Sequence, residues 1–301
     1  MRTYFKKEEC PSCHTKHDPT LMRCPSCGYE DSSRRDLRAF EHHVHESVPW
    51  QIAYFLIQLV GFQLLGIILS LIFQVSFAMS HPGSTAEDFT AWSKEPGTNF
   101  ALTAIAYLIL TGAFAIIWAI RKKYPTIFAS FKNYKAYLFG ILGGVALIAL
   151  QILYNLGAAA ILKAMGQASP TINGNETAIR SMVKILPPLA LFIFGIVGPF
   201  AEEIGYRVGL FSLCSRFGKV LAYIISAVIF GFIHFNWAAL FDPTFQASLA
   251  NELIIIPSYI VSGVALGFIY DKLGLAGSLT AHVTNNMISL VITLVSGGNN
   301  A

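Results

Sequence analysis

Charged residues are scarce in this chain. Lys, Arg, Asp and Glu make up 13% of its 301 residues, whereas hydrophobic residues make up 54%. A soluble domain carries about 25% charged residues, so this composition excludes an ordinary soluble enzyme, and we expect no nucleic-acid partner. Most of the chain is expected to contact membrane lipids or the interior of a helical bundle.

Alternating strand patterns are missing too, and long apolar runs take their place. A helix needs about 20 apolar residues to cross about 30 Å of hydrocarbon, whereas a barrel strand needs about 10 alternating residues. The runs predict an all-α polytopic transmembrane helix bundle over residues 50–301. The fourth run suits one tilted helix or two pieces broken near Gly198-Pro199, which gives seven or eight spans. The runs lie near residues 50–78, 99–120, 137–163, 186–217, 220–241, 253–270 and 275–296.

Lys and Arg are unevenly distributed between the loops. Residues 1–49 carry eight of them and residues 121–136 carry five, whereas residues 79–98 contain only Lys94. Because cytoplasmic loops are enriched in Lys and Arg, we expect an integral protein of the plasma (inner) membrane with a cytoplasmic N-terminus. No apolar segment precedes residue 50, so no cleavable signal peptide is expected.

Only five cysteines are present, and four of them form two CPxC knuckles: Cys10, Cys13, Cys24 and Cys27. Four thiolates can close a tetrahedron around Zn²⁺, so residues 1–30 are interpreted as a zinc ribbon, followed by a charged juxtamembrane linker over residues 31–49. Two disulfides are the alternative, which a reducing cytosol disfavours. A Cys₄ site has no open position, so the zinc is expected to be structural, and the ribbon can serve a protein partner.

The few ionisable residues inside the apolar runs are grouped. Glu202-Glu203-x-x-x-Arg207 interrupts the fourth run, and charged groups at bilayer depth are costly and usually mark function. Glu203 and Arg207 are four residues apart, which suits an ion pair on one helix face. Glu202 is rotated by about 100° and can face another surface. We therefore assign the chemistry to Glu202 and a structural role to Glu203 and Arg207.

Two histidine motifs follow downstream. Phe230-x-x-x-His234 and His282-x-x-x-Asn286 each lie in an apolar run. His282 and Asn286 share a helix face, so their N–H groups can form an oxyanion hole. Counted from the nearest basic anchors at about 1.5 Å per residue, Glu202, His234 and His282 fall in one middle layer of the membrane. This common depth predicts a single site.

The three motifs occur in the order found in the CAAX-protease and bacteriocin-processing group of intramembrane proteases, also called the abortive-infection family, which the chain resembles over residues 183–296. The resemblance implies a helical bundle with a cavity open to the cytosol and a peptide or lipidated protein as substrate. It implies that water activated between Glu202 and His234 hydrolyses a peptide bond. It also implies that His282 and Asn286 stabilise the oxyanion.

The resemblance leaves the role of a catalytic metal open. Glu202, His234 and His282 could bind Zn²⁺ and keep a position for water. The chain contains no His-Glu-x-x-His motif, and a carboxylate with an imidazole can activate water alone. We therefore favour metal-free catalysis.

Two other function classes remain open. A proton-coupled transporter could use Glu202 and His234 as a relay, although the chain shows no internal repeat of the kind that many transporters carry. A non-catalytic membrane scaffold or binding protein would need no catalytic carboxylate. Outside the motifs, Gln151 and Asn155 are interpreted as isolated interhelical bonds, and Glu252 as a solvated loop residue.

Overall fold

The computed structural model describes residues 8–17, 24, 26–27, 44, 46–166, 174–240 and 246–296. It is a helical membrane bundle preceded by a small cysteine-containing ribbon, as the composition and the motifs predict. Parts of the predicted ribbon and of the linker over residues 31–49 lie outside the described residues.

The ribbon begins with a short antiparallel hairpin. Strand β1 (Glu8–Glu9) pairs with β2 (Lys16–His17), with Glu8 opposite His17. The amide of Cys10 donates to the carbonyl of Thr15 at 3.0 Å, which closes the turn that carries the first CPxC knuckle. The second knuckle supplies Cys24 and Cys27 to the same cluster.

Helices account for nearly all of the remaining described chain. Five of them are long and apolar enough to cross a membrane: Val48–Ser80, Pro96–Ile120, Tyr134–Ala164, Pro187–Cys214 and Glu252–Val295. The helices in chain order are α1 (Val48–Ser80), α2 (Ala86–Lys94), α3 (Pro96–Ile120), α4 (Tyr124–Ser130), α5 (Tyr134–Ala164), α6 (Gly174–Val183), α7 (Pro187–Cys214), α8 (Lys219–Phe232) and α9 (Gln246–Val295).

Helix α7 continues through Gly198-Pro199, where the sequence allowed a break. Two π-helical segments, Ile193–Val197 and Ile204–Phe211, widen it instead. Helix α8 has 14 residues and ends at Phe232, nine residues short of the predicted span over 220–241. The count of seven or eight crossings stays a prediction.

Helix α9 reverses direction at Gly274. This residue has φ 72° and ψ −167°, a region that only glycine adopts readily. A Cβ at Gly143 of α5 would lie 2.6 Å from Ile269 and 3.7 Å from Ala281, yet residues twelve apart in a straight helix are separated by about 18 Å. The two halves of α9, residues 246–273 and 275–295, are therefore separate helices that both pack on α5. They correspond to the predicted spans 253–270 and 275–296.

Helix α1 packs closely behind the motif-bearing helix α7. A Cβ at Gly205 would collide with Gln58, and one at Gly209 would lie 2.8 Å from the backbone nitrogen of Phe55. Small residues four apart let two membrane helices approach in this way. The contact holds α7 in place against α1.

Ion pairs fix the start of α1 to one end of the bundle. Glu46 is buried and accepts from Arg121 at 2.6 Å and from the Tyr54 hydroxyl at 3.0 Å. Arg216 donates to the Glu46 carbonyl at 3.0 Å. We call this end, where α1 and α8 begin and α3 and α7 end, the ribbon end, and we call the opposite end the far end.

Candidate active site

The π-helical segments of α7 free backbone carbonyls next to the motif glutamates. In the first segment, the carbonyl of Phe194 accepts from Asn286 Nδ2 at 3.0 Å. In the second, the carbonyl of Arg207 accepts from the Ser212 hydroxyl at 2.9 Å. Single π turns often occur at functional sites because they leave such groups available. Here one of them ties α7 to the second half of α9.

The two adjacent glutamates face different surroundings. Glu203 is fully buried, and its Oε2 lies 3.4 Å from Arg207 Nε. The Arg207 guanidinium lies 4.8 Å from the centre of the Phe230 ring. Glu202 is about 9% exposed and borders a cavity. The 100° rotation between neighbouring helix positions therefore separates a paired carboxylate from one that faces open space.

His282 lies between both carboxylates. Its Nδ1 is 3.0 Å from Glu203 Oε1, and its Nε2 is 3.7 Å from Glu202 Oε2. An ionised carboxylate only accepts hydrogen bonds, so Nδ1 carries a proton. Nε2 therefore faces Glu202 at a distance too long for a direct hydrogen bond. The contact with Glu203 was not predicted from the sequence.

His234 lies two residues beyond the end of α8, in a turn and not inside a helix as the predicted span implied. Its Nδ1 donates to the Phe230 carbonyl at 2.8 Å, and its ring stacks on Tyr259 at 4.3 Å between centroids. A carbonyl only accepts, so in the neutral ring Nε2 is the acceptor. The Phe-x-x-x-His spacing thus fixes the orientation of the imidazole through a backbone bond.

The amide nitrogen and the amide oxygen of the Asn286 side chain each make a hydrogen bond within the protein. Its Nδ2 donates to the Phe194 carbonyl at 3.0 Å, and its Oδ1 accepts from Asn285 Nδ2 at 3.2 Å. An amide nitrogen has two hydrogens, so one donor remains for a group in the cavity that Asn286 borders.

Three residues that contact the motif residues or their turn were not assigned to the site from the sequence. Tyr107 donates to Glu202 Oε1 at 2.9 Å, and Tyr259 stacks on His234. Glu252 is 1% exposed and accepts from the Asn236 amide at 3.1 Å. The expectation that Glu252 is solvated is wrong, because α9 begins at residue 246 and carries the carboxylate under the turn that holds His234. The sequence feature that could have indicated Tyr107 is a tyrosine in the middle of the apolar run over residues 99–120.

The motif residues converge on one cavity of about 490 Å³. Glu202, His234, His282 and Asn286 all line it, whereas Glu203 and Arg207 do not. Further wall residues come from α3, α5, α6 and α9, among them Tyr107, Leu147, Gln151, Asn155, Glu176, Arg180, Ser258, Tyr259, Ser289 and Thr293. Gln151 donates to Ser262 at 3.0 Å, so it bonds between helices and also borders the cavity.

The cavity lies toward the far end of the bundle. Its wall includes Glu176 and Arg180 of α6, whereas Arg121, Arg216 and Lys272 at the ribbon end take no part in it. A cytoplasmic ribbon and a cavity open to the cytosol were both expected from the sequence. Both stay predictions.

The four ribbon cysteines form a group that could hold a metal ion. They are free thiols, and their sulfurs lie within 4.8 Å of one another. Cys10 and Cys27 are 3.6 Å apart, as are Cys13 and Cys24, close to the roughly 3.8 Å edge of a sulfur tetrahedron with 2.3 Å zinc–sulfur bonds. The side chain and backbone of Thr15 lower the pKa of the Cys13 thiol to about 6, which favours the thiolate that a metal requires.

The part of the chain that carries the three motifs matches a known protein family. No curated protein and no solved structure matches the chain. The family model described as type II CAAX prenyl endopeptidase Rce1-like matches residues 184–288, which contain the three motifs. This region is thus similar to the Rce1-like CAAX prenyl endopeptidases, a family of intramembrane proteases.

Proposed function

We propose that this protein is an intramembrane endopeptidase in which Glu202 and His234 activate water to hydrolyse a peptide bond. One observation carries the proposal. Glu202 lies at a cavity with Oε1 held by the Tyr107 hydroxyl and Oε2 directed toward His282 Nε2 at 3.7 Å. A carboxylate oriented in this way has one oxygen to accept a proton from water.

The reaction follows from these orientations. A water molecule donates one hydrogen to Glu202 Oε2 and the other to His234 Nε2, and its oxygen attacks the carbonyl carbon of the substrate. Glu202 takes the proton as the new C–O bond forms. When the C–N bond breaks, Glu202 returns this proton to the leaving amine nitrogen, so the carboxylate is regenerated.

His282 and Asn286 are placed to stabilise the charge on the carbonyl oxygen. The bond from His282 Nδ1 to the Glu203 carboxylate orients the ring, and the proposal requires Nε2 to carry a hydrogen that points into the cavity. The second amide hydrogen of Asn286 is the other donor. Donors fixed before the reaction stabilise a developing oxyanion without reorganisation.

Metal-free catalysis is part of this proposal. Among the residues that the structure describes, the four ribbon cysteines are the group of three or more His, Cys, Asp or Glu side chains close enough together to hold a metal ion. Glu202, His234 and His282 border the same cavity but do not form such a group. Activation of water by a carboxylate and an imidazole does not require Glu202, His234 and His282 to lie closer together.

The proposed peptidase function can be tested by searching membranes for the cleaved products of membrane proteins. Membranes from cells that express the wild-type chain or the Glu202→Gln variant would be compared by mass spectrometry of protein termini. New termini next to membrane anchors, present only with the wild type, would support the peptidase. Identical termini in both samples together with a proton-coupled flux that needs Glu202 would instead support the transporter alternative.

Tyr107→Phe is expected to lower kcat by about 10- to 100-fold with little change in KM. The substitution keeps the ring contact with Phe62, whose centroid is 4.8 Å away, but removes the hydrogen bond to Glu202. A hydrogen bond to a charged group contributes about 1.5–3 kcal/mol. Steady-state hydrolysis of a quenched peptide by the detergent-purified protein measures both constants. Wild-type kcat in this variant would show that Tyr107 does not position Glu202.

The ribbon is proposed to hold one structural Zn²⁺ through Cys10, Cys13, Cys24 and Cys27, and to stabilise the N-terminal module or to bind a protein partner. Four sulfurs leave no position for water, so the ion has no place in the hydrolysis. Small modules of this kind depend on the metal to fold.

Removal of two ligands is expected to release this zinc. The Cys10→Ser/Cys24→Ser variant should contain no zinc by elemental analysis, against one per chain in the wild type, and should still insert into the membrane. Cys214→Ser is the matched control, since Cys214 lies in α7 apart from the cluster. Zinc retained by the double variant, or disulfides in the native ribbon, would contradict the assignment.

A further inference from the structure

Among the motif residues, all of which the structure describes, His234 alone lies outside a helix. Helix α8 ends at Phe232, and the next short helical turn begins at Trp237. The backbone amide of His234 donates to the Gly231 carbonyl at 3.1 Å, and its Nδ1 donates to the Phe230 carbonyl at 2.8 Å. A single hydrogen bond to the ring leaves the imidazole free to tilt about that bond. The direction of Nε2 therefore depends on contacts from other parts of the chain.

The first half of α9 contacts the imidazole directly. The Tyr259 ring stacks on the His234 ring, with 4.3 Å between the centroids and 10° between the planes. The Phe230 ring is also close, at 5.0 Å between centroids, but it is tilted by 55° and offers the imidazole no parallel face. Tyr259 therefore supplies a flat surface against which the imidazole lies.

The turn that carries His234 is held by the same part of α9. Glu252 is 1% exposed, and its Oε2 accepts from the backbone amide of Asn236 at 3.1 Å, two residues beyond His234. Glu252 and Tyr259 are seven positions apart, which is about two helical turns, so both side chains lie on one face of α9. The turn and the imidazole ring therefore have a common support.

Close packing between α8 and α9 sets the position of this support. A Cβ at Gly263 of α9 would lie 2.8 Å from the Cα of Ala227, and one at Gly231 of α8 would collide with the side chain of Ile260. Small residues at such points let two membrane helices approach closely. Because Ile260 directly follows Tyr259, the contact at Gly231 places the Tyr259 ring beside the end of α8.

We propose that Tyr259 is a positioning residue for the hydrolysis and that it acts through His234. Its ring holds the plane of the imidazole, so that Nε2 stays directed at the water molecule shared with Glu202. This assignment rests on the proposed peptidase function, in which His234 Nε2 accepts a hydrogen from that water. Tyr259 transfers no proton itself. A displacement of about 1 Å can lower a rate by about 10²-fold, so a tilted imidazole slows hydrolysis.

Removal of the aromatic ring tests this role. Tyr259→Leu is expected to lower kcat by about 10- to 100-fold with a much smaller change in KM, whereas Tyr259→Phe keeps the ring and is expected to recover most of the rate. Tyr223→Leu is the matched control. Tyr223 is another half-buried tyrosine between α8 and α9, where it donates to Asp271 at 3.3 Å, and it lies outside the cavity wall. Tyr259→Met replaces the leucine variant should that variant fail to fold.

The orientation of the ring can be measured without turnover. Solid-state NMR of the full-length protein in lipid bilayers, with isotope-labelled histidine nitrogens, reports which ring nitrogen carries the proton. The His234 signals are those missing from the His234→Gln variant. At a pH of about 8, above the usual histidine pKa of about 6.5, we expect one tautomer, protonated at Nδ1, in the wild type, Tyr259→Phe and Tyr223→Leu. Tyr259→Leu is expected to add a second population, protonated at Nε2.

The two measurements separate this role from simple packing. A lower unfolding temperature in Tyr259→Leu, with wild-type kcat and a single tautomer in the folded fraction, would overturn the proposal. Loss of kcat with the single tautomer retained would overturn it too, because the effect would not pass through the orientation of His234. A second tautomer in Tyr259→Leu, found for a protein whose wild type hydrolyses no peptide, would support the support of the ring by Tyr259 while the peptidase function fails.

Discussion

Glu202→Gln is expected to lower the hydrolysis rate by about 10²–10⁴-fold, the usual contribution of a general base. The amide keeps the size of the side chain and can still accept from Tyr107 through its oxygen. It cannot take a proton from water, so substrate binding should persist while turnover is lost. Single-turnover hydrolysis and peptide binding by the purified protein measure the two effects separately. Wild-type turnover would refute the role of Glu202.

Glu203→Gln is the matched control, since it makes the same chemical change at the next residue. It leaves Arg207 fully buried without its carboxylate partner, and the loss of one partner of a buried pair costs about 3–5 kcal/mol. We expect a lower unfolding temperature in detergent. In the folded fraction we expect a smaller loss of turnover than in Glu202→Gln, because the amide oxygen can still accept from His282 Nδ1. Equal losses of turnover and equal stabilities in the two variants would contradict the division of roles between the glutamates.

The different surroundings of Glu202 and Glu203 were predictable because they follow from helix geometry. A spacing of four residues places Glu203 beside Arg207, and a rotation of 100° directs Glu202 elsewhere. The membrane bundle and the Cys₄ cluster were predictable for the same kind of reason, since run length and knuckle spacing are local properties of the chain. The matched family region, 184–288, agrees with the span expected from the motifs.

Contacts between distant segments could not be read from local patterns. Tyr107 reaches Glu202 across 95 positions of the chain, and the bond from His282 to Glu203 joins helices separated by 79 positions. The two π segments of α7 also have no sequence signature comparable to an apolar run. The walls of the cavity come from helices that are distant in the chain, α5, α6 and α9 among them, and no local pattern encodes how these helices assemble.

His282→Ala and Asn286→Ala are each expected to lower kcat by about 10²–10³-fold, the usual cost of losing one oxyanion donor. KM should change far less, because the donors act on charge that develops only in the transition state. Asn286→Ala also leaves the Phe194 carbonyl without its partner, at a cost of about 1–3 kcal/mol in stability. Thermal unfolding of each variant therefore has to accompany the kinetics.

Asn285→Ala is the matched control for the oxyanion assignment. Asn285 lines the same cavity and donates to Asn286 Oδ1 at 3.2 Å, so its loss changes the wall without removing a proposed donor. We expect a smaller decrease in kcat for Asn285→Ala than for Asn286→Ala. If His282→Ala and Asn286→Ala raised KM and left kcat unchanged, these side chains would bind the substrate in its ground state. Stabilisation of the oxyanion would then have to come from other donors around the cavity.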